Sequence, residues 1–221
     1  MSTWLVLWTG FLLGFRHAFD QDHVTAVTHF ISLEPDARRS AWFGARWALG
    51  HAVTVLTLGS LVLLLHLKFP PAFERAAEVA VGVSLIALAV WRLSQLVRLR
   101  GHVHRHAHDA GERHSHPHTH DAGGHVHPWA PTMVGMLHGA AGTVEVFVII
   151  PISMMASPAL AYLYIGCFSV GCLLSMSGYG FLAGQFYTRA STAGERLYQG
   201  LVVLTSLVGL VLGWLWISRH L

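Results

Sequence analysis

RHAFDQDH, residues 16–23, places an arginine, two histidines and two aspartates within eight positions of an otherwise apolar segment. The sequence WLVLWTGFLLGF precedes this stretch and VTAVTHFI follows it. An Asp or Arg at the centre of a bilayer costs about 2.5–3.5 kcal/mol on insertion scales, so such residues mark paired or functional sites. An internal ion pair between Arg16 and Asp20 is the simplest alternative, but it leaves the histidines and the second aspartate unexplained.

The spacing of the polar residues in this motif predicts how they are arranged around a helix. At about 100° per residue, His17, Asp22 and His23 point in three different directions around an ideal helix. On a regular helix, His17, Asp20 and His23 lie closest together. If His17, Asp22 and His23 all bind one ion, we expect the helix to unwind or bulge between Ala18 and His23. Broken helices near the bilayer midplane are a recurring feature of secondary transporters.

The composition of the whole chain indicates a membrane protein. Hydrophobic residues make up 53% of the 221 residues and charged residues 11%, whereas soluble domains carry roughly a quarter charged residues. The net charge of +3 is modest, so a nucleic-acid partner is not expected. Cys167 and Cys172 are five positions apart in one apolar segment. On a helix they point in different directions, so we expect neither a disulfide nor a thiolate metal site.

Apolar stretches of about 20 residues, enough to cross a bilayer, predict an all-α integral membrane protein with six transmembrane helices. Tryptophans cluster near the ends of these stretches, as in an aromatic belt at the membrane interface; Trp42 and Trp47 form one such pair. No Lys or Arg precedes Arg16, so the first segment is expected to be a retained helix rather than a signal peptide. The six stretches lie near residues 4–29, 43–66, 76–98, 132–153, 159–186 and 196–218.

Basic residues predict the orientation of these helices. Eight arginines fall in or beside the first, third and fifth connections, and Lys68, Arg75 and Arg219 lie on the other side. The positive-inside rule makes the first set cytoplasmic, so both termini are expected outside. We divide the chain into residues 1–98 with helices one to three, a cytoplasmic loop over residues 99–130, and residues 131–221 with helices four to six.

The third connection contains ten of the 17 histidines, largely as His-x-His alternation. A tract of this composition has little to bury, so we expect disorder. Neutral imidazoles suit Zn²⁺, Ni²⁺, Co²⁺ and Cu²⁺, which predicts metal capture without a fixed geometry; a solvated spacer is the alternative. We call residues 102–127 the histidine-rich loop. Its histidines are His102, His104, His106, His108, His114, His116, His118, His120, His125 and His127.

Further polar residues lie inside other predicted helices. His51 belongs to the second, and His138 and Glu145, seven positions apart, are expected on one face of the fourth. A single buried histidine is more often a hydrogen-bonded packing residue. Several at matched depths, together with three carboxylates, favour a cation site. His66 falls near a predicted helix end, as do His29 and His220, and all three are expected at the interface rather than as ligands.

Two short sequences predict an internal repeat. GFRHA, residues 14–18, begins the polar patch of the first helix, and GMLHG, residues 135–139, begins that of the fourth. Three helices separate them, so the two segments cross the membrane in opposite directions. This arrangement fits an inverted-topology repeat of three plus three helices. The small residues around Gly139 also permit close helix packing, which is the alternative explanation for that stretch.

RHAFDQDHV resembles the signature of the nickel/cobalt transporter (NiCoT) family, His-x4-Asp-His within a membrane helix, usually written H-A-x-D-A-D-H. Gln21 stands where alanine is usual, and LGHAVTV around His51 is similar to the family's second block. The resemblance implies a permease for Ni²⁺ or Co²⁺ whose signature helix contributes to metal recognition. The matching positions are His17, Ala18, Asp20, Asp22 and His23.

The sequence departs from the pattern of longer family members. Familiar bacterial members have eight spans, with an additional helix ahead of the signature helix, whereas this chain begins at that helix. Their acidic Asp-Thr-Ala-Thr-Glu block has only a loose counterpart at Thr143 and Glu145. His138 with GAAG looks more like the short urease-accessory type of nickel permease, and the histidine-rich loop is similar to the nickel/cobalt efflux branch. The resemblance by motif covers residues 14–54.

The sequence therefore predicts a multi-pass permease of the cell (inner) membrane that takes up Ni²⁺ or Co²⁺. Zn²⁺ stays open as a substrate, and the lack of cysteine in the polar cluster argues against Cu(I). Efflux and a histidine-rich membrane metalloenzyme are the alternatives. No catalytic constellation or prosthetic group is expected. Proteins of metalloenzyme maturation on the cytoplasmic side are possible partners. The predicted metal-site residues are His17, Asp20, Asp22, His23, His51, His138 and Glu145.

Overall fold

The computed structural model describes residues 2–100, 127, 129–141, 145–155 and 157–221. Within them the secondary structure is entirely helical. A π-helical turn, Glu145–Ile149, directly precedes the sixth α-helix. The α-helices of this part of the chain are α1 Thr3–His17, α2 Gln21–Ile31, α3 Ala37–Leu65, α4 Pro71–Arg100, α5 Ala130–His138, α6 Ile150–Ser153, α7 Pro158–Ala193 and α8 Glu195–His220.

Four of these helices, α3, α4, α7 and α8, are each long and apolar enough to cross a membrane. They coincide with the second, third, fifth and sixth predicted stretches. The first predicted stretch contains two helices, α1 and α2, and the fourth contains α5, the π-helical turn and α6. The chain is therefore an all-α, multi-pass membrane protein, and the count of six spans stays a prediction.

The first break lies within the signature motif. α1 ends at His17, and Asp20 has extended backbone angles of φ −60° and ψ 144° before α2 begins at Gln21. The amides of Phe19 and Asp20 bond to the carbonyls of Arg16 and His17 as the last turn tightens. The helix is thus interrupted between Ala18 and His23, where a break is expected if His17, Asp22 and His23 bind one ion.

The second break follows His138, the last residue of α5. Residues 139–141 form a turn, in which the amide of Ala141 bonds to the carbonyl of His138. The expectation that His138 and Glu145 share one helical face was therefore wrong, because α5 stops before the helix can carry that spacing. A helix end within a membrane is tolerated where protein covers its polar backbone groups. The helices before both breaks end at buried histidines, His17 and His138.

Glycines allow the short helices to pack closely against long ones. A Cβ atom on Gly14 of α1 would lie 1.9 Å from the carbonyl oxygen of Phe168 in α7. A Cβ atom on Gly135 of α5 would lie equally close, 1.9 Å, to the carbonyl oxygen of Trp47 in α3. Close backbone approach through small residues is the typical means of helix association in membranes. These contacts hold both helix breaks against continuous helices.

Two interfacial expectations were wrong. Trp47 is fully buried, whereas Trp42, one turn earlier in α3, is 58% exposed and fits an aromatic belt. His29 is also fully buried, and its Nδ1 donates to the carbonyl of Thr25 at 2.7 Å. Both residues lie near the ends of predicted spans, but neighbouring helices cover them: α5 meets α3 at Trp47, and α8 meets α2 at His29.

Candidate metal site

Four histidines from four helices meet beside the two helix breaks. His17 ends α1, His23 lies in the first turn of α2, His51 is in α3, and His138 ends α5. Each of the four is at most 2% exposed. The ring centroids of His17 and His23 are 4.5 Å apart, those of His17 and His51 are 5.1 Å apart, and those of His23 and His138 are 5.6 Å apart. The four histidines thus form one cluster, which we call the histidine layer or buried layer.

Three of these imidazoles present nitrogens to a common centre. One ring nitrogen each from His17, His23 and His51 lies within 4.8 Å of the others. The Nε2 atoms of His17 and His51 are 3.1 Å apart. Nitrogen ligands bind a divalent ion such as Zn²⁺ at about 2.0–2.1 Å, so two of them are about 3.0 Å apart at a right angle and about 4.2 Å apart across the ion. The 3.1 Å separation of the His17 and His51 nitrogens thus fits two neighbouring ligands of one ion, and His23 is a third ligand once its nitrogen moves inward.

Outer hydrogen bonds orient three of the rings. Nδ1 of His23 donates to the carbonyl of His17 at 3.1 Å, and Nδ1 of His138 donates to the carbonyl of Val134 at 2.8 Å. Nδ1 of His17 lies 2.9 Å from the carboxylate of Asp20. A carbonyl only accepts, so Nδ1 carries the proton in His23 and His138 and Nε2 keeps its lone pair. Metal-binding histidines typically bond in this way to backbone or carboxylate oxygens.

Asp22 supplies negative charge to the same layer. Its Oδ2 atom lies 3.3 Å from Nε2 of His23 and 3.9 Å from Nε2 of His138, and the residue is 5% exposed. Nε2 of His138 is buried and has no hydrogen-bond partner. A lone pair left without a partner in a buried site normally needs an explanation. A cation between Asp22 and the imidazoles would neutralise the charge of the Asp22 carboxylate and accept the lone pair of His138 Nε2.

The two aspartates of the motif occupy different positions. Asp22 is directed at the imidazole nitrogens, whereas Asp20 contacts the outward nitrogen of His17 and keeps 26% of its side chain exposed. Asp20 therefore orients a histidine instead of facing the centre. This division follows from the helix break, because the extended backbone at Asp20 separates the two carboxylates.

Aromatic rings enclose the layer. Trp47 stacks on His51, one helical turn away, with centroids 5.3 Å apart, and its ring also contacts His23 at 4.6 Å. The Phe168 ring lies 5.3 Å from that of His17. Apolar walls exclude water, which strengthens electrostatic interactions within the site. The site is thus small, buried and rich in nitrogen donors.

Some predicted site residues cannot be placed in this layer. The backbone of Glu145 begins the π-helical turn, but its side chain lies outside the described part of the structure. Nine histidines of the histidine-rich loop also lie outside it, and His127 is exposed. The loop's metal capture therefore stays a prediction. The nine are His102, His104, His106, His108, His114, His116, His118, His120 and His125.

Sequence reasoning missed three buried residues, one in the wall of the site and two in α4. Trp47 was assigned to the interface. Arg92 of α4, 2% exposed, donates from its guanidinium to the carbonyl of Ser32 at 2.6 Å and so binds the C-terminal end of α2. Glu78 of α4 is 7% exposed and accepts a hydrogen bond from Trp216. A charged residue inside a predicted span was the signal that could have identified Arg92 and Glu78.

Comparisons with known proteins agree with a membrane assignment. The chain is similar to the urease accessory protein UreH of Bacillus sp. (strain TB-90), with 28% identity over 209 residues, which cover 94% of this chain and 88% of that protein. This similarity supports the resemblance to the nickel/cobalt transporter family, while the particular branch stays a prediction. No solved structure matches the chain.

The second comparison covers most of the chain. A family model described as the transmembrane region of cytochrome C biogenesis proteins matches residues 22–210. Neither this description nor that of the relative is of an enzyme, in line with the prediction from sequence. The matched range includes α2 to α7 and most of α8. The chain therefore belongs to the family of the cytochrome C biogenesis protein transmembrane region.

Proposed function

We propose that the chain is a permease that carries Ni²⁺ across a cell membrane, with Co²⁺ as a second substrate. The observation that carries the proposal is the buried layer of four histidines at two helix breaks, three of them with ring nitrogens within 4.8 Å of one another. Nitrogen and carboxylate donors without a thiolate suit borderline divalent ions. The similarity to a urease accessory protein supports nickel.

The form of the site favours transport over permanent binding. Two of the four histidines, His17 and His138, are the last residues of α1 and α5, where the backbone does not continue as a helix. Broken helices of this kind let a transporter open its site to one side and then the other. A histidine-rich membrane hydroxylase needs a fixed cage of many histidines on ordered helices, whereas the described residues bring three histidines close enough for one ion.

A three-plus-three inverted repeat is part of the proposal. His138 follows His17 by 121 positions, as Gly135 follows Gly14 and Phe168 follows Trp47. The contact of Gly14 with Phe168 thus has its counterpart in the contact of Gly135 with Trp47, in the same 1.9 Å geometry. Six spans, two of them broken, follow from this repeat. The broken spans are α1 with α2, and α5 with the π-helical turn and α6.

The orientation follows from the basic residues. The side with the histidine-rich loop is cytoplasmic in this proposal, and both termini face outward. Uptake then delivers the ion from the buried layer to the loop, where imidazoles buffer it for proteins of metalloenzyme maturation. Export uses the same groups in the opposite order, with the loop as the loading site.

The test is ⁶³Ni²⁺ flux into cells that express the wild-type chain, His17→Ala or Asp22→Ala. We expect accumulation above that of cells without the protein, and both substitutions should abolish it because each removes a donor from the buried layer. Glu195→Ala, at the exposed start of α8, is the matched control and should retain flux.

Each outcome has a distinct meaning. Accumulation below that of empty cells, again lost in both variants, assigns export instead of uptake. Flux that survives both substitutions removes the buried layer from the pathway. If the wild-type chain moves no nickel in either direction but retains metal after purification, the permease proposal is wrong.

A further inference from the structure

A second polar region lies away from the histidine layer. A cavity of about 910 Å³ opens where α3 ends, α4 begins and α8 ends. We call this cavity the vestibule. α4 starts at Pro71 beside the vestibule and runs for about 45 Å to Arg100, shortly before the histidine-rich loop in the sequence. In the proposed orientation the vestibule therefore faces the outside of the membrane.

The vestibule reaches the histidine layer through the second helix break. Its wall includes Ala140 and Ala141, which form the turn directly after His138. Ala141 also packs in a buried cluster with Ala77 and Val81 of α4. The residues of this turn thus line the vestibule and directly follow His138, whose Nε2 atom has no hydrogen-bond partner.

Glu78 is the deepest charged side chain of the vestibule. It is 7% exposed, whereas Lys68 and Arg75 at the rim are exposed. Its Oε2 atom accepts a hydrogen bond from Nε1 of Trp216 at 2.5 Å. A carboxylate offers about four acceptor positions, so one indole donor leaves capacity for a further ligand.

A purely structural role does not account for a buried charge here. The bond to Trp216 joins α4 to α8, but these helices already pack closely where a Cβ atom on Gly82 would lie 2.8 Å from the carbonyl of Gly213. A neutral acceptor joins two helices equally well and avoids the cost of burying an unpaired carboxylate. The negative charge itself therefore calls for a cationic partner.

We propose that Glu78 is a second cation-binding site on the ion pathway. A divalent cation in the vestibule binds Glu78 either before or after it binds His138 and Asp22. This inference rests on the proposed function and adds a site outside the signature motif. His66 and His220 also line the vestibule and offer imidazoles at its outer end. The carboxylate draws the divalent ion inward past the basic rim.

The test compares Glu78→Gln with wild-type protein in proteoliposomes. Glutamine still accepts the hydrogen bond of Trp216, so the substitution removes the charge and keeps the contact. We expect the initial rate of ⁶³Ni²⁺ flux to fall at least about tenfold, because the ion loses a close charge attraction. Equilibrium Ni²⁺ binding by the purified variant should change less than about twofold, since the histidine layer is intact.

Two further variants separate charge from contact. Glu195→Gln, which also removes a carboxylate that accepts one hydrogen bond within α8, should transport as the wild type does. Trp216→Phe removes the indole donor and leaves the charge, so its flux should stay well above that of Glu78→Gln. Equal losses in Trp216→Phe and Glu78→Gln would assign a structural contact and overturn the inference.

Carbodiimide labelling tests the same point in unaltered protein. Mass spectrometry measures the fraction of Glu78 that is modified in the wild-type chain. We expect Ni²⁺ to slow this modification. Unchanged labelling, or full flux in Glu78→Gln, overturns the inference but leaves the permease proposal standing. A wild-type chain that carries no nickel overturns both.

Discussion

At the scale of single residues, the two aspartates of the motif differ in what they contact. Asp22 faces the imidazole nitrogens, and Asp20 bonds to the outward nitrogen of His17 at 2.9 Å. Loss of an outer hydrogen bond to a metal-binding histidine typically weakens metal binding by about 10–100-fold. We therefore expect Asp20→Ala to reduce the Ni²⁺ affinity of the purified protein by this factor, measured by equilibrium dialysis. Asp20→Asn, whose amide oxygen still accepts the bond, should lose less.

The control for this prediction is a half-buried carboxylate away from the site, Glu34, in its Gln variant; Glu34 pairs with Arg39. It should bind Ni²⁺ as the wild type does. If Asp20→Ala and wild-type protein have equal affinities, Asp20 does not orient His17 for metal binding, and the contact is incidental.

Trp47 carries a second prediction at this scale. The ring is fully buried against His23 and His51, yet its Nε1 atom has no hydrogen-bond partner. Trp47→Phe removes this unsatisfied donor, so the free energy of unfolding should change by less than about 1.5 kcal/mol. Trp47→Ala leaves a large void and should destabilise the protein by about 3–5 kcal/mol. Thermal unfolding in detergent would measure both.

Trp42→Ala supplies the comparison, because Trp42 lies in the same helix and is 58% exposed. It should unfold near the wild-type temperature. Equal destabilisation in Trp42→Ala and Trp47→Ala would contradict the assignment of Trp47 to the wall of the site.

These residues also show what sequence reasoning could reach. The types and spacing of His17, Asp22 and His23 imply a broken helix, since a regular one cannot bring them together, and α1 does end at His17. Burial of Trp47 depends on α5 crossing α3 at Gly135. That crossing is a long-range contact, and the spacing of residues within one helix carries no information about it.

At the scale of helices, glycines determine how α1 and α5 pack. Their Cβ positions at Gly14 and Gly135 each coincide with a backbone oxygen of the facing helix. Gly14→Ala and Gly135→Ala should each lower the free energy of unfolding by about 1–3 kcal/mol, because the backbones must separate. The measurement is thermal unfolding in detergent micelles.

The matched control is Gly166→Ala in α7, where an added Cβ atom meets nothing within 4 Å. Alanine favours a helix over glycine by up to about 1 kcal/mol, so this variant should be neutral or slightly more stable. A neutral Gly14→Ala would contradict the close approach of α1 and α7.

Helix boundaries were predictable to different degrees for a physical reason. The long helices α3, α4, α7 and α8 follow from uninterrupted apolar sequence. The end of α5 at His138 could not be predicted in this way, because the next residues, Gly139 and Ala140, are compatible with a membrane helix. Arg92 is recognisable in the sequence as a charge inside a predicted span, but its contact is not. Its partner, the carbonyl of Ser32, is a backbone group at the end of α2 and has no signature in the sequence.

At the scale of the whole molecule, two kinds of metal-binding groups lie in different parts of the chain. The buried layer has few ligands with fixed orientation, and the histidine-rich loop has many within a low-complexity sequence. Fixed ligands discriminate between ions by geometry, whereas a His-x-His tract binds by number and proximity. Selectivity between metal ions should therefore depend on the buried layer, and the number of ions bound per chain should depend on the histidine-rich loop.

Replacement of the ten loop histidines by asparagine tests this division while the loop keeps its length and polarity. We expect the number of Ni²⁺ ions bound per chain to fall in equilibrium dialysis, while ⁶³Ni²⁺ flux in proteoliposomes persists. His51→Ala should give the converse, because it removes a fixed ligand whose Nε2 lies 3.1 Å from that of His17 and leaves the loop intact. If the loop variant abolishes flux and His51→Ala preserves it, the pathway runs through the loop, and the buried histidines serve only to pack the helices.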